Sequence, residues 1–129
     1  MKIYTRTGDA GATQIYVDKP QRLPKSDAVL NCYGDIDELN CHLGLLVSML
    51  DGDATLASLN ELNATLTQVQ KDLFTIGFAM SASAKLEQHS IDSLEQTIDT
   101  LTAQLPAQTS FILPGGSQPA SQAHITRAI

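Results

Sequence analysis

The sequence predicts an all-α protein, an up-and-down helical bundle preceded by an irregular N-terminal glycine turn. Three observations carry that expectation. Leu59, Leu62, Leu66, Val69, Leu73, Ile76 and Met80 alternate steps of three and four without a break, which lays one apolar stripe along a long helix. Two flanking segments repeat the pattern, through Ile36, Leu39, Leu43, Leu46, Val47 and Leu50, and through Ile91, Leu94, Ile98, Leu101 and Leu105. Hydrophobic residues make up 43% of the chain but aromatic residues only 5%, which suits a core of Leu, Ile, Val and Ala rather than a β-sandwich. A chain of 129 residues fits a single domain over 1–129.

Residues 1–34 form the irregular segment. "KIYT" and "TQIYV" are short β-leaning runs around the glycine turn, and the two prolines of "DKPQRLPK" mark a loop. In "YGDIDELN" Asp35 can cap a helix while Glu38, three residues on, reaches back as in a capping box, so a first helix is expected over about 35–50, ended by "DGD". The second is expected over about 54–82. A third, about 90–105, has Ser90 as N-cap and Pro106 as stop. Ser117 caps a fourth, 117–129, that begins at Gln118 or Pro119. Beyond Pro119 that helix meets no Gly, Asn or Pro terminator, so the chain is expected to be shorter than a natural domain of this kind.

Charge and composition exclude several roles. A net charge of −6 and a pI near 4.7 disfavour a duplex nucleic-acid binder, which needs clustered Lys and Arg to neutralise phosphates. No window approaches a membrane span, and the N-terminus lacks a signal-peptide core, so a cytoplasmic protein is expected. Cys32 and Cys41 have neither CxxC nor zinc-ligand spacing and read as small buried residues of a reducing compartment.

Within "TRTGDAG", Gly8 and Gly11 let consecutive amides point inward as an anion-binding nest, with hydroxyls from Thr5, Thr7 and Thr13 and a guanidinium from Arg6 around it. "DAG" is equally a good turn sequence, and the residues alone leave a plain hairpin turn and a phosphate cradle both open. Lys25 and Asp27 place a cation and a carboxylate on a loop. Asp35, Asp37 and Glu38 suit either a metal cluster or the first turn of a helix, where acids answer the macrodipole. His42 and His124 have no second ligand at metal-binding spacing, so no metal site is expected from them. "FILPGG" is either a core plug or an apolar wall beside a flat ligand, with Phe111 as its face. Arg127 reads as an exposed helix residue.

Taken in order, "YTRTGDAGAT", "KSD", "YGDIDELN", "QKDLFTIG" and "FILPGGSQPASQAHITR" resemble the ATP:cob(I)alamin adenosyltransferases of the propanediol-utilisation type, and the match runs from Met1 to Ile129. The resemblance implies a five-helix bundle, here without its last helix, that assembles as a homotrimer with ATP and the corrinoid at each subunit interface. It implies that Thr5, Arg6, Thr7, Gly8, Asp9, Gly11 and Thr13 wrap the triphosphate with Lys25 approaching. Asp37 is implied to pair with Arg127 of a neighbouring subunit at the corrinoid site. Phe111 is implied to occupy the lower face of the corrin ring and displace its axial base.

The implied reaction transfers the 5′-deoxyadenosyl group from ATP to cob(I)alamin and releases triphosphate. Without a lower ligand the cobalt is more readily reduced to Co(I) by a partner reductase, and the Thr-Gly turn and a Mg²⁺ ion stabilise charge on the leaving triphosphate. Two departures from the family pattern stand out. Val29 and Asn31 replace a customary arginine and acid, and the chain stops before the arginine-rich continuation of the fourth helix and the fifth helix. The alternative expectation is a non-catalytic helical module that binds a nucleotide or a corrinoid.

Overall fold

A computed structural model describes residues 2–17, 19–52, 59–81 and 84–129. Among them the chain is mostly helical, with a two-stranded sheet and four helices: β1 (Ala12–Val17), β2 (Lys19–Pro24), α1 (Ala28–Asp51), α2 (Asn60–Ser81), α3 (Gln88–Gln104) and α4 (Gln118–Thr126). The all-α expectation is corrected by the sheet. "KIYT" is not a strand, and β2 forms instead from the proline run read as a loop.

The prolines are tolerated because of where they fall in the ladder. β1 and β2 pair antiparallel from Ala12↔Pro24 to Val17↔Lys19. The Lys25 amide extends the ladder by donating to the Gly11 carbonyl at 2.9 Å. Amides alternate direction along a strand, so Lys25, Leu23, Gln21 and Lys19 point theirs at β1. Pro20 and Pro24 therefore occupy outward positions, where a missing N–H breaks no bond. Ile15, only 8% exposed, anchors the hairpin, and a shallow cavity beside it is lined by Leu30 and Tyr33 of α1.

The first helix begins at Ala28, seven residues before the expected Asp35 cap. Asp27 is the N-cap in extended conformation, and its carboxylate accepts from the Val29 amide at 2.9 Å. Asp35 and Glu38 lie inside the helix, so the capping-box expectation is corrected. An upstream cap took precedence because nothing from Ala28 to Gly34 interrupts a helix, and an interior glycine costs only about 1 kcal/mol relative to Ala. At 24 residues, α1 spans about 36 Å and ends at Gly52, as "DGD" suggested.

Helices α1 and α2 run antiparallel, since Asn40 faces Gln70 while Asp51 faces Asn63. Leu43, Leu46 and Leu50 of α1 and Leu73 of α2 are buried in the apolar core that α1 shares with its neighbours. Asn40 and Gln70 cross it reciprocally: Asn40 Nδ2 donates to the Gln70 carbonyl at 3.3 Å, and Gln70 Nε2 to the Asn40 carbonyl at 3.0 Å. The opposite side of α1 carries α4. There the Gln122 amide bridges to His42 Nδ1 at 2.9 Å and to the His42 carbonyl at 3.2 Å. His42 is thus engaged in helix packing.

The expected apolar stripe of α2 faces inward, its N-terminal residues 54–58 lying outside the described part. Helix α3 starts at Gln88, with Glu87 rather than Ser90 at the cap position, and ends one residue before Leu105, next to the expected Pro106 stop. It contacts α2 lightly and buries nothing fully, leaving Ile91, Leu94 and Ile98 exposed. Ser117 caps α4, accepting from the Ala120 amide at 3.3 Å. Cys32 and Cys41 are free and exposed, contrary to the buried expectation, because the apolar seam runs along the other faces of α1. No described helix is long and apolar enough to cross a membrane.

Candidate functional site

The glycine turn stands at the open end of the hairpin, and its backbone is held from several sides. Arg6 takes φ 61° and Gly11 φ 80°, both left-handed, a conformation that glycine adopts freely and arginine does not. Asp9 N–H donates to the Arg6 carbonyl at 3.4 Å and Gly11 N–H to the Gly8 carbonyl at 3.2 Å, giving two overlapping tight turns. The amides of Thr7, Gly8 and Ala10 make no hydrogen bond among the described residues. Unpaired amides around a left-handed residue are the donor set of an anion nest.

Cationic groups converge on this turn. A Cβ placed on Gly8 would stand 3.3 Å from both Lys25 Cε and Nζ, so the lysine lies directly against the glycine, and a larger residue there would displace it. Arg22 donates through Nη2 to the Thr7 carbonyl at 2.7 Å and to the Ala12 carbonyl at 3.4 Å. The Arg6 guanidinium lies 5.2 Å from the centre of the Tyr4 ring, within cation–π range. Thr5 and Thr7 share a hydroxyl contact at 2.9 Å. Thr13 is carried one step further along β1, half-buried, and lines the shallow cavity beside Ile15.

The expected site residues therefore fall into one group and three outliers. Thr5, Arg6, Thr7, Gly8, Asp9, Gly11 and Lys25 surround one turn, with Thr13 next to it. Asp37 lies elsewhere, on the rim of a cavity of about 380 Å³ between α1 and α2 that Ile36, Leu73 and Phe74 make apolar. Tyr33 lines both this cavity and the one containing Thr13, and its buried hydroxyl has no partner among the described residues. Phe111 is 102% exposed, and Ile112 and Leu113 are exposed beside it, which rules out the core-plug reading of "FILPGG" for the described chain. Arg127 follows the last turn of α4, exposed. Among the described residues, no hydrogen bond or ion pair engages the side chain of Asp37 or Arg127.

Arg22 and Tyr33 were not singled out from the sequence. For Arg22 a signal existed: five of the eight cationic residues but only two of the fourteen carboxylates fall within the first 25 positions of an acidic chain. Tyr33 carried none, since its place between two cavities depends on how the hairpin docks. For metals, no group of three or more His, Cys, Asp or Glu side chains suited to an ion occurs among the described residues.

Comparison with known proteins agrees with this layout. The chain is 39% identical over 134 residues to the corrinoid adenosyltransferase of Bacillus subtilis and 38% over 130 residues to the cobalamin adenosyltransferase of Cupriavidus metallidurans. These alignments cover 100% and 99% of the chain but 66% of each relative, so the chain spans just under two thirds of their length. A phenylalanine-to-alanine variant of the PduO-type ATP:corrinoid adenosyltransferase from Lactobacillus reuteri, complexed with cobalamin and ATP, superimposes with a TM-score of 0.82 at 34% identity, over 98% of this chain and 71% of that one. The family model for cobalamin adenosyltransferase matches residues 3–129, and with the glycine turn, its lysine and the helices behind them in place, the chain belongs to that family.

Proposed function

We propose that the protein transfers the 5′-deoxyadenosyl group of ATP to cob(I)alamin, giving adenosylcobalamin and triphosphate. The observation that carries this reading is the glycine turn, whose free amides and adjoining Lys25 ammonium form a compact donor set for phosphate oxygens. Family membership supplies the nucleotide and the corrinoid as the substrates to which that donor set applies.

In this reading a bond forms between the cobalt of the reduced corrinoid and the 5′-carbon of ATP as the bond from that carbon to the triphosphate oxygen breaks. The electron pair of the new bond comes from Co(I), and that of the broken bond leaves with triphosphate. Thr7, Gly8 and Ala10 amides, the Thr5 and Thr13 hydroxyls, Arg6 and Lys25 stabilise the charge on the departing group, as fixed donors do without reorganising. A Mg²⁺ ion fits such a site as a companion of the phosphates, with Asp9 as the available carboxylate, because Mg²⁺ is commonly bound through one or two carboxylates and substrate oxygens. It would neutralise further phosphate charge.

The remaining assignments belong to the same reading. Phe111 caps the lower face of the corrin ring, a role compatible with a fully exposed side chain. Asp37 meets Arg127 of a neighbouring subunit in a homotrimer of five-helix bundles, both groups being unengaged here. The exposed apolar residues of α3 suit burial in such an assembly or under further helix. A reductase supplies the electron for Co(I), and the protein acts in the cytoplasm.

The test is an assay of the full-length protein with ATP, Mg²⁺ and chemically reduced cobalamin in the absence of oxygen. Light-sensitive adenosylcobalamin and stoichiometric triphosphate are expected. Binding of ATP and corrinoid by calorimetry, without product, would overturn transferase activity in favour of a non-catalytic binding module.

A further inference from the structure

We infer that Arg22 is a positioning residue for the glycine turn, acting as a hydrogen-bonding brace and not as a phosphate ligand. The inference rests on the phosphate reading of that turn. Its basis is the reach of one planar group to both ends of the turn: Nη2 lies 2.7 Å from the Thr7 carbonyl and 3.4 Å from the Ala12 carbonyl. Residues 7 and 12 bracket the segment that contains Gly8, Asp9 and Gly11. A guanidinium fixed between these two carbonyls sets the width of the loop mouth.

The Thr7 contact does more than close the loop. Peptide units are planar and trans, so the carbonyl of Thr7 and the N–H of Gly8 point in opposite directions across the same bond. Holding that carbonyl on Arg22 turns the Gly8 amide away from Arg22 and keeps it free to donate. A charged donor on the carbonyl also polarises the peptide and strengthens its N–H as a donor. Lys25, lying against Gly8, is left with its ammonium free of any protein partner among the described residues. Arg22 and Lys25 thus divide the work, one shaping the turn through carbonyls and one offering charge.

Arg22 sits on β2 opposite Gln14, at a position whose amide points out of the ladder, so its side chain can be changed without breaking a strand hydrogen bond. The experiment measures ATP and inorganic tripolyphosphate binding to full-length wild type, Arg22→Met, Arg22→Lys and Lys25→Met over a range of salt concentrations. It adds hydrogen exchange of the Gly8 amide in the ligand-free proteins. Arg22→Met should weaken both ligands about tenfold, the effect of losing one charge-assisted hydrogen bond at an exposed site. Its salt dependence should change less than that of Lys25→Met, the Gly8 amide, no longer polarised, should exchange more slowly, and the corrinoid KM and melting temperature should stay unchanged. Arg22→Lys, able to reach one carbonyl, should recover part of the loss.

A salt dependence as shallow in Arg22→Met as in Lys25→Met would overturn the inference, because it would place the arginine charge as close to phosphate as the lysine's. Unchanged affinity and exchange in Arg22→Met, with weaker binding in Lys25→Met, would overturn it alone. Unchanged binding in both variants would remove the phosphate reading itself.

Discussion

The seam between α1 and α2 and the glycine turn at the mouth of the hairpin are held by opposite means. In the seam, Leu43, Leu50 and Leu73 are each less than a tenth exposed, and two amide side chains lock the helices in register. Burial of each leucine there is worth about 2–3 kcal/mol. In the turn no residue from Lys2 to Gly11 is buried, and the shape is kept by two left-handed residues, short backbone bonds and Arg22. Stability and ligand chemistry are thereby separated in space. A scaffold of packed helices tolerates a polar, water-facing loop because the hairpin is moored to it by Ile15.

Breaking the seam should produce the largest effect. Leu43→Ala, one turn beyond Asn40, should lower the unfolding free energy by about 2–5 kcal/mol in denaturant titration, since a cavity replaces packed leucine. A loss well below that would show that the seam is not what holds the scaffold. Next comes the junction between the two regions. Asp27 ends the hairpin side of the chain and starts α1, so Asp27→Ala should cost about 1 kcal/mol, whereas Asp35→Ala, inside the helix, should stay within about 0.5 kcal/mol. Equal losses at both positions would return the helix start to Asp35. The smallest stability effect belongs to Phe111→Ala: a fully exposed ring has no packing to lose, so the melting temperature should not move while adenosylcobalamin formation falls. A marked drop in melting temperature would mean that Phe111 is structural.

How much could be read ahead varied with the range of the interaction. The stripe of α2, the Ser117 cap and the stop before Pro106 are local signals, carried by side-chain spacing or by one residue and its neighbours, and each corresponds to an observed feature. The start of α1 differs from the expected one although its cap is also local, because Asp27 and Asp35 are both competent N-caps and the capping-box spacing of Asp35 and Glu38 favours the later one. Strand β2 was hidden for a different reason. Two prolines argue against a strand unless the ladder register is known, and register depends on the partner. The candidate site divides in the same way. Gly8, Gly11 and Lys25 were legible by residue type, but their contact across the hairpin, and the use of Arg22 to bracket the turn, arise only when β2 folds back.

The order and periodicity of apolar residues were enough, on their own, to determine that helices would follow a glycine turn, since a repeat of 3.6 leaves one face to bury whatever covers it. The spacing of threonines and glycines likewise determined that the first residues could present amides and hydroxyls together. What covers each face was not contained in those periods: α1 and α2 bury leucines against each other, while α3, with an equally regular stripe, leaves Ile91, Leu94 and Ile98 exposed. The tertiary structure also decided which cation touches which backbone group. That choice depends on pairing over 15 residues between Thr7 and Arg22, a separation at which periodicity carries no information and only the folded geometry does.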